Sequence, residues 1–188
     1  MKVNTPKALF DEMSEIRTPR LILRRLQPRD AADMYEYASL SAVTRYLLWD
    51  PHPDLTYTKR YLAYVQGRYR LGDFYDLAVI EKNEGKMIGT CGFVRFDEAN
   101  RSGEVGYVLN PAYHRCGYGT EALGAILHFG FSRLGLHRIE ARFMKDNVAS
   151  RRLAEKCGMQ FEGIHRDLLM IKGKYEDIGI SAAIRQDE

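Results

Sequence analysis

The chain has 188 residues, 45% of them hydrophobic and 28% charged, which is enough for one well-filled core and short for two domains. Twenty-eight Lys and Arg against 25 Asp and Glu leave a net charge of +3 spread along the sequence, so neither a nucleic-acid surface nor an acidic tail is indicated. No apolar run reaches membrane-spanning length, the start MKVNTPKALFDEMSEIRTP lacks a signal-peptide hydrophobic region, and three cysteines without metal-type spacing suit a reducing compartment, so a cytoplasmic protein is expected.

Residues 1–18 read as a partly helical N-terminal arm, and residues 19–188 as a single domain. RLILRRL (20–26) is a strand, and PRDAADMYEYAS (28–39) is a helix with proline in a starting position. A short helix near VTRYL (43–47) precedes WDPHPDL (49–55), which two prolines keep as loop. Helical spacing returns from Thr58 to Leu71 through Tyr61, Leu62, Val65 and Tyr69. The period then changes, because FYDLAVIE (74–81), MIGTCGFVRF (87–96) and EVGYVL (104–109) are strands with short connections, which predicts an antiparallel meander. A glycine turn then opens an amphipathic helix in which Leu123, Ile126, Leu127, Phe131 and Leu134 recur at three- and four-residue steps. HRIEARFM (137–144) alternates as a strand with one buried face. DNVASRRLAEKC (146–157) is a short helix capped by Asp146 or Asn147 and stopped by Gly158, and FEGIHRDLLMI with YEDIGISAAI forms a final hairpin.

The turn within YHRCGYGTEALGAILHFGF (113–131) carries the chemistry. Gly117 and Gly119 permit backbone conformations and close approaches that a side chain would block, so consecutive N–H groups can face an anion at the positive end of the helix dipole. Gly117, Gly119 and Ala122 also fit a dinucleotide fingerprint, with Glu140 about twenty residues on. Context disfavours that reading, because the turn follows an antiparallel meander and Glu140 falls inside its strand. A P-loop motif is absent.

The ordered series RLILRRL, PRDAADMY, VTRYL, GTCGF, GEVGYVLNPAYHRCGYGTEAL, HRIEARFMKDNVASRRLAEKCGM, FEG and GKYEDIG resembles the GNAT N-acetyltransferase superfamily, and within it the RimJ/RimL-type branch, over residues 18–186. The resemblance implies an α/β fold of the α+β kind, with a mixed, mostly antiparallel sheet of about seven strands. That sheet is splayed between the strands at 104–109 and 137–144 and flanked by helices, with acetyl-CoA in the gap. His114-Arg115-Cys116-Gly117-Tyr118-Gly119 matches the superfamily's pyrophosphate loop, with His114 where Gln or Arg is usual, and main-chain donors through Thr120 are expected to hold the diphosphate. Strand backbone at Val108, Leu109 and Asn110 is expected to pair with the pantetheine amides. Asn147 and Ser150, the N-x-x-S of DNVAS, resemble the branch's cofactor-contacting Asn and its Ser near the thioester sulfur, where Ser150 would protonate the leaving thiolate and Tyr175 stands as an alternative acid.

Acetyl transfer needs a neutral amine, so a base is expected. Glu104, on the strand face of Gly106 and Val108, is the first candidate, directly or through water, and Glu162 the second. Cys116 as a covalent nucleophile is disfavoured, since no His or Asp is placed around it. Tyr46, Trp49, His52 and Tyr75 are read as acceptor-side residues, and no metal site is expected. The activity expected from the resemblance is acetylation of a primary amine, such as a protein N-terminal amine, by a monomer or homodimer with no nucleic-acid or membrane partner. A small-molecule acceptor and a non-catalytic acetyl-CoA-binding module are the alternatives.

Overall fold

The structure, a computed structural model, describes residues 5–186, so the first four residues of the expected arm lie outside it. Among the described residues one eight-stranded sheet runs in the order β1-β2-β3-β4-β5-β6-β8-β7. Its strands are β1 (Glu15–Arg17), β2 (Leu21–Arg24), β3 (Ala78–Glu81), β4 (Lys86–Asp97), β5 (Ser102–Leu109), β6 (Arg138–Met144), β7 (Gln160–Ile171) and β8 (Lys174–Ile184). All neighbours are antiparallel except β5 and β6. The strand beyond the seven expected is β1, in the stretch read as an arm. It pairs with β2 through Ile16 opposite Leu23.

Helix α1 (Pro6–Glu12) precedes the sheet, and α2 (Ala31–Ala38), α3 (Ser41–Thr44) and α4 (Leu55–Leu71) fill the span between β2 and β3. Helix α4 starts where the Asp54 carboxylate accepts the Tyr57 N–H at 2.7 Å, and it stops at Gly72 in the left-handed conformation. Its inward stripe is Thr58, Leu62, Val65 and Tyr69, the spacing of one helical face. Helix α5 (Tyr118–Ser132) buries Leu123, Ile126 and Leu127 in the same core as Phe93, Val105 and Ile139 from the sheet. Helix α6 (Val148–Lys156) follows β6. A smaller apolar cluster of Met144, Ile171 and Ile178 roots the β7–β8 hairpin, with Tyr46 packed against it.

Two features open the sheet. The parallel ladder of β5 and β6 runs from Ser102–Arg138 to Val105–Ala141 and then ends, although both strands continue. Residues 106–109 therefore have β4 on one side and no ladder partner on the other. Gly89 of β4 lies so close to the end of β5 that a Cβ there would sit 2.2 Å from the Val108 carbonyl oxygen, so only glycine lets β4 support this unpaired end.

Candidate functional site

A broad opening lies where β5 and β6 part. It is a cleft of about 810 Å³ walled by α3, the end of β5, the turn before α5, the first turn of α5, and α6. Of the residues singled out from the sequence, Tyr46, Val108, Leu109, His114, Arg115, Gly117, Gly119, Thr120, Asn147 and Ser150 stand in this wall.

The turn is shaped by its backbone. Arg115 and Gly117 adopt positive φ of 62° and 82°, and Gly117 serves as the left-handed N-cap of α5 with no side chain to cap the helix. The first-turn N–H groups of α5 thus lack a capping side chain and face the cleft end of the helix dipole. His114 Nε2 lies 3.1 Å from the Leu109 carbonyl, tying the turn to the end of β5. At the other side of the cleft the Asn147 side chain accepts the Ser150 N–H at 3.1 Å and starts α6, which fixes the Ser150 hydroxyl at the mouth of the split.

One member of the site escaped the sequence reading. Tyr107, within β5, places its hydroxyl 2.9 Å from Ser150 Oγ and donates to the Ser150 carbonyl at 3.1 Å. It sits two residues past the last β5–β6 pair, at the fork itself. Burial pushes its phenol up to about 12, outweighing the hydrogen bond from Ser150, so it stays protonated at neutral pH and can pass a proton on. Thr90 and Cys91 of β4 also line the cleft.

Other expected residues lie elsewhere. Glu104 lines a separate cavity of about 260 Å³, where its carboxylate accepts from Arg95 Nε at 2.9 Å and lies 3.3 Å from Arg142 Nε. Glu104 thus stands outside the wall of the main cleft, paired with two guanidiniums. Glu162 pairs with Arg138, on the edge strand, and Glu140 pairs with Arg138 and Arg142 in mid-strand. Asn110 is buried, its N–H donates to the Ile88 carbonyl at 2.8 Å, and its side chain joins Ala112 and Glu36, so it cannot offer that N–H to pantetheine. The Cys116 and Tyr118 side chains point out of the wall. Cys116 is exposed, and Tyr118 stacks under Arg20 at 4.5 Å.

Of the aromatic residues expected on the acceptor side, only Tyr46 lines the cleft. His52 is buried between Trp49, Tyr57 and Tyr61, with Nδ1 2.9 Å from Thr58 Oγ1, and burial lowers its proton affinity. Trp49 and His52 thus brace the α3–α4 loop. Tyr75 packs on Phe10 and Phe96 and donates to the Gly72 carbonyl at 2.8 Å, away from the cleft. Tyr175, the alternative acid of the sequence reading, is 57% exposed on the hairpin, outside the wall. Among the described residues no cluster of metal-ligating side chains occurs, and no helix is long and apolar enough to cross a membrane.

The family model described as the acetyltransferase (GNAT) domain matches residues 20–160. The chain belongs to the GNAT acetyltransferase family. The uncharacterized N-acetyltransferase p20 of Bacillus licheniformis is 30% identical over 175 residues, which cover 93% of this chain and 98% of that one. The alanine N-acetyltransferase of ribosomal protein uS5 from Escherichia coli (strain K12) is 25% identical over 192 residues, covering 98% and 94%. A GNAT-family acetyltransferase structure from Bacillus anthracis superposes with a TM-score of 0.81 at 28% identity, covering 90% of this chain and 98% of its own. As a GNAT enzyme the chain is an N-acetyltransferase with acetyl-CoA as the acetyl donor.

This GNAT site fits that donor on its own geometry. The uncapped start of α5 suits a diphosphate. The unladdered edge at 106–109 suits an arm bearing amides, which can add to an open edge as another strand does. The cleft lies in the size range of small-molecule and cofactor sites, roughly 300–1,000 Å³.

Proposed function

We propose that the enzyme acetylates a protein N-terminal α-amine by direct attack on the thioester, with Ser150 and Tyr107 supplying the proton to the departing thiolate. The observation that carries this reading is the 2.9 Å contact between the Tyr107 and Ser150 hydroxyls at the fork of β5 and β6. A thioester arm laid along residues 106–109 brings its sulfur end to that fork, and a phenol held protonated behind a serine can refill the serine as it gives up its proton. The overall balance is one ammonium and one thioester in, and one amide, one thiol and one proton out.

The diphosphate is assigned to the main chain of residues 115–120, and Asn147 to the pantetheine arm. Val108 and Leu109 are assigned the arm's backbone partners, with the Leu109 carbonyl shared with His114. Glu104 is assigned the proton from the acceptor ammonium through ordered water, since two guanidiniums hold its carboxylate one residue before the last β5–β6 pair. Tyr46 and α3 form the acceptor-side wall. The preference for a protein N-terminus is supported by the uS5-alanine relative, which aligns with nearly the whole chain.

The test is incubation of the purified protein with acetyl-CoA and a pool of N-terminal-alanine peptides and small amines, read by mass spectrometry for the mass of one acetyl group. Modification of peptide α-amines supports the reading. Modification of small amines alone overturns the acceptor assignment, and binding of acetyl-CoA with no modified amine overturns the catalytic one.

A further inference from the structure

The first turn of α5 holds an acidic residue, Glu121, where the family's donor brings a diphosphate. A carboxylate in a first turn favours the helix by itself, but beside an anion site it repels the ligand. Burial pushes the Glu121 carboxyl up, yet hydrogen bonds from Thr18 and Arg20 and the Arg20 charge outweigh it, so the group stands below its usual range and is ionised at neutral pH.

Almost all of that compensation comes from a segment remote in sequence. Thr18 Oγ1 donates to Glu121 Oε1 at 2.6 Å, the Arg20 N–H donates to the same oxygen at 2.8 Å, and Arg20 Nε donates to Oε2 at 2.6 Å. The same guanidinium reaches the turn itself, because Arg20 Nη1 donates to the Cys116 carbonyl at 2.8 Å and the cation lies 4.5 Å over the Tyr118 ring. Arg20 also explains part of the glycine at 117, where a Cβ would meet Arg20 Nη2 at 3.2 Å. The carboxylate is 15% exposed and the guanidinium 44%, so the neutralised side of the pair faces inward.

We propose that Arg20 is a positioning residue for the acetyl donor: its guanidinium cancels the Glu121 carboxylate inside the anion-binding turn and, by holding the Cys116 carbonyl, keeps the N–H groups of residues 117–120 presented to the diphosphate. This rests on the assignment of the turn to the diphosphate. It explains why TPR, ahead of β2, belongs to a site whose other parts lie nearly a hundred residues later, and it places Arg20 among the binding machinery although no part of it reacts.

The experiment is calorimetric titration of the full chain with coenzyme A, which needs no acceptor. Arg20→Ala is expected to weaken binding by about tenfold at low salt, the consequence of leaving the Glu121 carboxylate without its counter-charge close to a diphosphate, although its bonds from Thr18 and the main-chain N–H of residue 20 remain. Arg20→Ala/Glu121→Gln is expected to recover most of that loss, although it lacks the same bond to Cys116. The gap between wild type and Arg20→Ala is expected to narrow as salt rises. A brace without an electrostatic part would leave the double variant as weak as the single one and the gap unchanged by salt, and either result overturns the inference. Should Arg20→Ala fail to fold, the double variant and Arg20→Lys carry the comparison: weak binding by the double variant with retained far-UV circular dichroism again overturns it. Failure of the wild type to bind coenzyme A would reject the site assignment itself, and the inference with it. Tight binding by Arg20→Ala would reject the inference alone.

Discussion

Replacing Asp76 with asparagine tests how the sheet beneath the cleft tolerates a buried charge. Asp76 lies just before β3, a half-buried residue with its carboxyl turned inward beside Tyr69 of α4. Its Oδ1 accepts the Leu77 N–H at 3.0 Å, its carbonyl accepts the Tyr69 hydroxyl at 2.5 Å, and a Cβ on Gly92 would meet its Cα at 2.5 Å. Burial raises its carboxyl from an ordinary 3.8 to about 7, more than the Thr90 side chain and the Leu77 N–H lower it. That rise corresponds to about 4 kcal/mol of preference for the protonated form in the folded protein. Because the folded state holds the proton more tightly, the contribution is fully present below about pH 4, declines as pH rises, and is gone above about pH 7. Between about pH 5 and pH 8 the loss is roughly 2.6 kcal/mol. Buried His52, lowered in proton affinity, acts with the opposite sign near its ordinary value, but it is present in both proteins and cancels in the comparison. Asparagine keeps the acceptor for Leu77 and cannot ionise. Urea unfolding of wild type and Asp76→Asn across this range is expected to give curves that diverge by that amount, with the variant the more stable at pH 8. Parallel curves would refute the argument that Asp76 is protonated on folding.

Ser150→Ala is expected to lower kcat by about a hundredfold with coenzyme A affinity retained, and Tyr107→Phe to lower it less, as steady-state kinetics beside calorimetry would show. Gly117→Ala forces a side chain into φ of 82°, so unfolding is expected to be easier by about 1 kcal/mol and coenzyme A binding weaker in the same titration. Cys116→Ser is expected to leave turnover unchanged, since the thiol is exposed outside the cleft wall; loss of activity in the variant, together with an acetyl-thioester trapped on Cys116 of the wild type, would favour a covalent route.

Periodicity carried most of the fold. The switch from three-four spacing in α4 to short apolar runs in the meander is visible because α4 buries one stripe, β3 and most of β4 bury both faces, and the first half of β5 alternates. Strand β1 escaped because Glu15–Arg17 has three residues, too few for a pattern, and exists through its pairing with β2. At the site, the turn and the N-x-x-S helix start were legible since each is a local backbone shape. Tyr107 was not, because in GEVGYVL it reads as one more apolar strand position until α6 is folded against it. Trp49, His52 and Tyr75 failed for the reverse reason: an aromatic side chain near a proline loop has the same signature in a pocket as in a core, and only tertiary packing separates them. The engagement of the Asn110 N–H was not legible, because the Ile88 carbonyl that accepts it is brought there by the register of β4 on β5.

A crystal structure of the enzyme with coenzyme A tests the central claim most directly. The diphosphate is expected within hydrogen-bonding distance of main-chain N–H groups of residues 115–120, with the pantetheine arm along residues 106–109 and its sulfur near Ser150. A diphosphate held away from the start of α5, or an arm that does not enter the split between β5 and β6, would contradict it.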